Sequence, residues 1–254
     1  MSLEVRDVTV DYGSVRALQN VSLSLADGQI HGLIGMNGSG KSTLFNTIAG
    51  LIRPTTGTVN SATRHKPGSV AYVPQSEKVD WTFPISVRDV VLTGRYGHMG
   101  LLKRPRTTDR DAVADALERT DLTEHADRQI GQLSGGQKKR TFVARGLAQD
   151  ADTILLDEPF AGVDTVSQAT ISELLRSLAD DGRCVLISTH DLASVPQLCD
   201  TVTMLQRRVI AHGVPEEVMT TENLMVTFRH SGTPADTTGM EEDTGGSEGT
   251  EDAD

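Results

Sequence analysis

Nine residues, Gly35-Met36-Asn37-Gly38-Ser39-Gly40-Lys41-Ser42-Thr43, constrain this chain more than any other stretch of its 254 residues. They follow the apolar run QIHGLIG and precede a segment in which Leu44, Ile48 and Leu51 recur at helical spacing, until Gly50 and Pro54 end it. A strand therefore passes into a helix through a loop with glycines at 35, 38 and 40. Those glycines let the backbone bend until its N–H groups converge on one hollow, and the helix beginning near Lys41 adds its positive end. Such a hollow suits a polyphosphate. Lys41 can reach the β- and γ-phosphates and the Ser42 hydroxyl can ligate Mg²⁺, so the loop predicts a nucleoside triphosphate site.

Two acids complete the pattern. TILLDEP and CVLISTH are short, continuously apolar runs, as expected of strands buried on both faces of a parallel sheet. Ile171, Leu174, Leu175 and Leu178 form a helical stripe between them that stops at Asp181-Gly182, giving a strand–helix–strand crossover. Asp157 and Glu158 end the first run. Asp157 can hold Mg²⁺ opposite Ser42, and Glu158 can take a proton from an attacking water. Taken alone, the two acids read equally well as half-solvated and idle. His190 begins the loop after the second run, where strand ends of a parallel sheet line a ligand crevice. Gln75, just after the strand SVAYVP, has the same position but by spacing alone is an ordinary loop amide.

The rest of the chain frames this core. LEVRDVTVDYG and VSLSL read as N-terminal strands, TVTMLQ and RVIAHG as edge strands, and VPEEVMT as a short helix. From Ser86 the period is helical, and residues 86–150 are expected to form a helical subdomain inserted in an α/β domain spanning 1–230. Residues 231–254 hold eight acids, no Lys or Arg, and no large aliphatic residue except Met240. This composition predicts a disordered, solubilising tail. The tail also carries most of the net charge of −11. The nearly neutral remainder argues against a broad nucleic-acid surface. Cys184 and Cys199 lack metal-site spacing and read as reduced structural thiols. No run is long enough to span a membrane, and MSLEVRDVTV lacks a secretory pattern, which places the chain in the cytosol.

A second glycine cluster, Leu133-Ser134-Gly135-Gly136-Gln137, precedes a helix with Val143, Leu147 and Ala144, Ala148 stripes. Ser134 reads as its N-cap, and physical chemistry alone does not separate a plain cap from an anion site. LSGGQ nevertheless resembles the signature motif of ABC-type ATPases, and the other family elements stand around it in family order. Tyr12 matches the adenine-stacking aromatic, GMNGSGKST the Walker A loop and Gln75 the Q-loop glutamine. TILLDE matches Walker B with Glu158 as catalytic glutamate, AGVD ending at Asp164 the D-loop, and His190 the switch histidine. The resemblance covers residues 3–220, with Gly162-Val163 departing from the usual D-loop.

The resemblance implies a P-loop ATPase fold, mostly parallel with N-terminal antiparallel strands, and a catalytic set of Glu158, His190 and Gln75. It implies ATP and Mg²⁺, the ion ordered by Ser42, Gln75 and Asp157. It also implies head-to-tail pairing with a second ATPase subunit, whose Ser134, Gly135, Gly136 and Gln137 close over the bound nucleotide. The stretches from Ser76 to Pro105, RQIGQLSGGQ and DEPFAGVD further resemble ATPases that drive bacterial manganese, zinc or iron uptake. That likeness implies transmembrane permease subunits, a substrate-binding protein reached through them, and a place on the inner face of the membrane. Trp81 and Phe83 are then permease contacts or core aromatics with equal claim. The rival readings are a soluble ABC-type ATPase acting on nucleic acid or in iron–sulfur assembly.

Overall fold

Strands of two patterns build two sheets. The computed structural model describes residues 3–61, 68–75, 82–100 and 103–228; the acidic tail and Trp81 lie outside them. β1 (Leu3–Tyr12) pairs antiparallel with β2 (Val15–Leu25) on one side and β4 (Thr56–Ser61) on the other. The larger sheet runs β5 (Val70–Val73), β6 (Thr153–Asp157), β7 (Cys184–Thr189), β3 (Gln29–Ile34), β8 (Thr201–Gln206), β9 (Arg208–Gly213). All its neighbours are parallel except β8 and β9. β6 and β7 are buried at every residue, as their unbroken apolar runs require.

Register sets the functional edge. Ile34 pairs with Thr189, and Asp157 pairs with Ser188, so β3, β6 and β7 all end on one line. The phosphate loop, the two acids and His190 leave the sheet from that line. Carboxyl ends of parallel strands, where neighbouring connections diverge, leave a crevice for ligands.

Helices cover both faces. α1 (Lys41–Ile48) packs between the sheets, its buried Phe45 meeting Tyr72 edge-on at 5.9 Å between centroids. On the opposite face lie α5 (Thr165–Asp180), whose Ile171, Leu174, Leu175 and Leu178 are all buried, and α4 (Gly135–Ala148), with Val143, Ala144, Leu147 and Ala148 buried. α2 (Val87–Leu92) and α3 (Thr107–Arg119) pack on α4, forming the helical subdomain. A buried ion pair, Arg95 Nε to Asp109 Oδ1 at 3.0 Å, joins this group, and Arg95 Nη1 also donates to the Ala148 carbonyl at 2.9 Å. The Arg106 N–H, and then the Arg95 guanidinium, hold the Asp109 carboxyl below its ordinary range. α6 (Val195–Leu198), α7 (Pro215–Val218) and α8 (Thr221–Phe228) complete the chain.

Two expectations change, and one strand was not foreseen. Leu51 is 68% exposed and lies past the end of α1, because the chain turns at Gly50 before it can join the stripe. β8 is interior, between β3 and β9, so of the two expected edge strands β9 alone is one, with β5 at the opposite edge; the chain returns beside β3 once β7 occupies the other side. β4 gave no period because Val59, which is buried, is its one apolar side chain. Gly57, at φ 85°, passes so close to β1 that a Cβ would lie 2.4 Å from the Asp7 carbonyl oxygen.

Candidate nucleotide site

The phosphate loop is gripped from both sides. A Cβ on Gly35 would sit 2.4 Å from the Leu205 carbonyl oxygen at the end of β8. A Cβ on Gly40, at φ 100°, would sit 2.7 Å from the Ala17 carbonyl oxygen of β2. Gly40 starts α1 without any side-chain cap, which leaves the first helical N–H groups for a ligand. The loop closes through Ser39 N–H to the Met36 carbonyl at 3.1 Å. The Ser39 hydroxyl is buried without a hydrogen-bond partner among the described residues. Lys41 is buried, and its ammonium donates to the carbonyls of Gly35 at 2.6 Å and Met36 at 3.1 Å. Burial pulls the Lys41 pKa below the ordinary lysine value, with Glu158 and Asp157 opposing the shift.

The strand-end acids face this loop. Ser42 donates its hydroxyl proton to Asp157 Oδ2 at 3.0 Å, joining the start of α1 to the end of β6. Glu158 is buried with φ 50°, a left-handed conformation that costs a non-glycine residue free energy and turns its side chain off the strand. Its Oε2 accepts from Gln75 Nε2 at 2.5 Å, and its Oε1 lies 3.5 Å from His190 Nδ1. His190 itself is largely exposed. Together these residues line two adjoining clefts of about 1110 and about 290 Å³. Met36, Asn37, Gly38, Gln75 and Glu158 border both; Ser42, Thr43 and Asp157 border the smaller.

Two further residues shape the site and were not legible in the sequence. Ser188 donates to Asp157 Oδ1 at 2.5 Å and accepts from the Glu158 N–H at 2.9 Å, so one hydroxyl positions both acids. It hides inside the apolar run CVLIST, and its only signal is the register that sets it beside Asp157. Tyr72, on β5, lies close to Asp157, and burial, followed by the Asp157 charge, pushes its hydroxyl up to about 12. Ser188→Ala leaves an acid oxygen and an N–H unpaired in a buried place. A loss of about 1–3 kcal/mol in urea unfolding is expected, together with slower nucleotide turnover; unchanged values would deny Ser188 this positioning role.

Other expected site residues stand apart. Tyr12, 49% exposed, is outside both cleft linings; its cross-strand partner Val15, with Arg16 and Ala17, borders the smaller one. Ser134 is the N-cap of α4, in a reciprocal pair: its hydroxyl accepts from Gln137 N–H at 3.2 Å, and its N–H donates to Gln137 Oε1 at 3.0 Å. A Cβ on Gly136 would lie 2.8 Å from Ser167 Oγ and 3.0 Å from the Asp164 carboxylate, and Gly135 faces Gly162. Thus Gly135 and Gly136 pack on the Asp164 turn, and 134–137 border neither cleft. Phe83 is 59% exposed, so it is no core aromatic.

A glycine-built anion hollow, opposed by two acids at parallel strand ends, defines a P-loop nucleotide hydrolase. Residues 18–161 match the ABC transporter family. The chain is 48% identical to the manganese transport system ATP-binding protein MntA of Synechocystis over 90% of each chain. It is 49% identical to the chelated iron transport system membrane protein YfeB of Yersinia pestis, over 89% of this chain and 78% of that one. The solved structure of an inward-facing metal-chelate type ABC transporter superposes with TM-score 0.80 at 31% identity, covering 89% of this chain and 88% of that one. This chain belongs to the ABC transporter family, as an ATP-binding, ATPase subunit. Among the described residues no helix is long and apolar enough to cross a membrane.

Proposed function

We propose that this chain hydrolyses ATP to drive uptake of a divalent metal ion, manganese before zinc or iron, through a membrane permease. The observation that carries the site is the Ser42–Asp157 contact, which closes the phosphate loop onto the strand-end acids. Lys41 and the loop N–H groups other than that of Ser39, which the Met36 carbonyl holds, take the phosphates, and Tyr12 is assigned to the adenine from the hairpin rim, beside the cleft-lining Val15. Ser42, Asp157 and Gln75 offer hydroxyl, carboxylate and amide oxygens along one cleft, a donor set that fits Mg²⁺. Bound there, the ion neutralises phosphate charge. Glu158 accepts a proton as water oxygen bonds the γ-phosphorus and the β–γ bridging bond breaks. Gln75 holds the Glu158 carboxylate in place, and His190 donates toward the transferring phosphoryl.

Ser134 to Gln137 border neither cleft of their own chain, which supports a site completed by those residues of a second copy. Exposed Phe83 in the helical subdomain supports contact with the permease, and a substrate-binding protein would act through that permease from the other side. Among the described residues, no three His, Cys, Asp or Glu are grouped to hold a metal ion. We assign cargo choice to the partners, and this subunit to the inner face of the membrane. The MntA and YfeB likenesses support metal as the cargo class. Deleting the gene should lower uptake of radioactive manganese, with recovery on supplying the wild-type chain and none with Glu158→Gln. Undiminished manganese, zinc and iron uptake in the deletion strain would refute the metal reading.

A further inference from the structure

The turn between β8 and β9 is the third element to touch the phosphate loop, and it carries an arginine. The Arg207 N–H donates to the Ser39 carbonyl at 2.7 Å, and the Arg207 carbonyl accepts from the Gln19 N–H at 2.7 Å. The turn thereby straps the loop to β2. Arg207 does this at φ 59°, a conformation that glycine enters freely and a long side chain does not. Of the non-glycine residues at positive φ, Asp7, Asn20, Asp121 and Asp150 are of the short polar kind that tolerates it. Lys103, Glu158 and Arg207 are not, and the last two both border the clefts. A strained residue kept at the rim of a site points to a use for its side chain.

The side chain is available for one. Arg207 is exposed and borders both the larger and the smaller cleft. Arg16, the other arginine of the smaller cleft, is paired with Asp11 at 2.8 Å. Among the described residues Arg207 has no ion-pair partner. A guanidinium stays charged at any working pH and matches phosphate oxygens with two parallel N–H groups.

We propose that Arg207 is a nucleotide-binding residue whose guanidinium bonds the phosphates of ATP held in the loop. This rests on the nucleotide reading of the cleft. Arg207→Gly separates side chain from backbone, because glycine retains both strap hydrogen bonds and relieves the strain. Fluorescent ATP titrated into the full-length chain with Mg²⁺, at low and high salt, should show about tenfold weaker binding and a shallower salt dependence. The melting temperature of Arg207→Gly should be equal or higher, and Arg207→Lys should recover part of the affinity. Wild-type affinity in Arg207→Gly would overturn the proposal, including where only ATP-dependent pairing of two copies is lost. So would a fall in melting temperature and affinity together in both variants, which marks a structural role. Wild-type protein that takes no ATP would overturn the cleft reading itself and the role of Arg207 with it.

Discussion

Replacing Glu158 with glutamine is expected to leave ATP bound and to stop its hydrolysis. The substitution keeps size and shape, so Gln75 Nε2 still meets an oxygen where Glu158 Oε2 now stands at 2.5 Å. The N–H to Ser188 and the left-handed backbone are untouched. What is lost is a proton acceptor in a buried place beside the phosphate loop. Removing a general base costs typically about 10²–10⁴ in rate. Phosphate release should fall by that factor while ATP affinity stays within about threefold, a change worth under 1 kcal/mol. With ATP no longer consumed, two copies should remain closed around it and elute together in the presence of Mg²⁺ and ATP. Phosphate release near the wild-type rate would remove Glu158 as the base.

The second large effect belongs to Lys41. Its ammonium donates to the carbonyls of Gly35 and Met36, and in the proposed reading it also serves the phosphates. Lys41→Ala removes the cation from the hollow and leaves two carbonyls facing inward. Charge-assisted hydrogen bonds are worth roughly 1.5–3 kcal/mol each, so ATP affinity should fall at least about tenfold and turnover with it. Equilibrium titration with labelled ATP checks this, and undiminished affinity would discredit the loop as the phosphate site. The pH dependence has a definite sign. Burial lowers the Lys41 pKa from 10.5, so between its folded value and 10.5 the unfolded chain binds more protons. Stability without nucleotide should therefore gain from this residue as pH rises through that interval, while ATP affinity declines as the ammonium is lost.

How much of this was legible depends on how far apart the interacting residues lie. The phosphate loop, the α4 cap and the stripe of α5 are local. Spacings of three or four residues decide them, and Ser134, Gln137 and Ile171 stand where their spacing puts them. The acids at 157 and 158 were legible as acids ending a buried run. That they meet Ser42, Gln75 and His190 depends on strand order, because those contacts join residues up to 115 positions apart. Tyr12 carried an adenine reading by family order alone, and the sheet sets it at the hairpin rim, outside both clefts.

Sequence by itself determined the chemistry available: three glycines and a lysine for a phosphate hollow, a hydroxyl and two acids for its far side, and apolar runs long enough only for buried strands. Tertiary structure alone decided which side chains share a charge. Ser188 became the hydroxyl between two acids because β6 and β7 pair in one register, and a slip of one residue would turn it to the other face. Arg207 came to border the clefts because β8 lies beside β3 and its turn closes on Ser39. Register and strand order arise from burying both faces of the sheet at once, a condition set by the whole chain rather than by any segment of it.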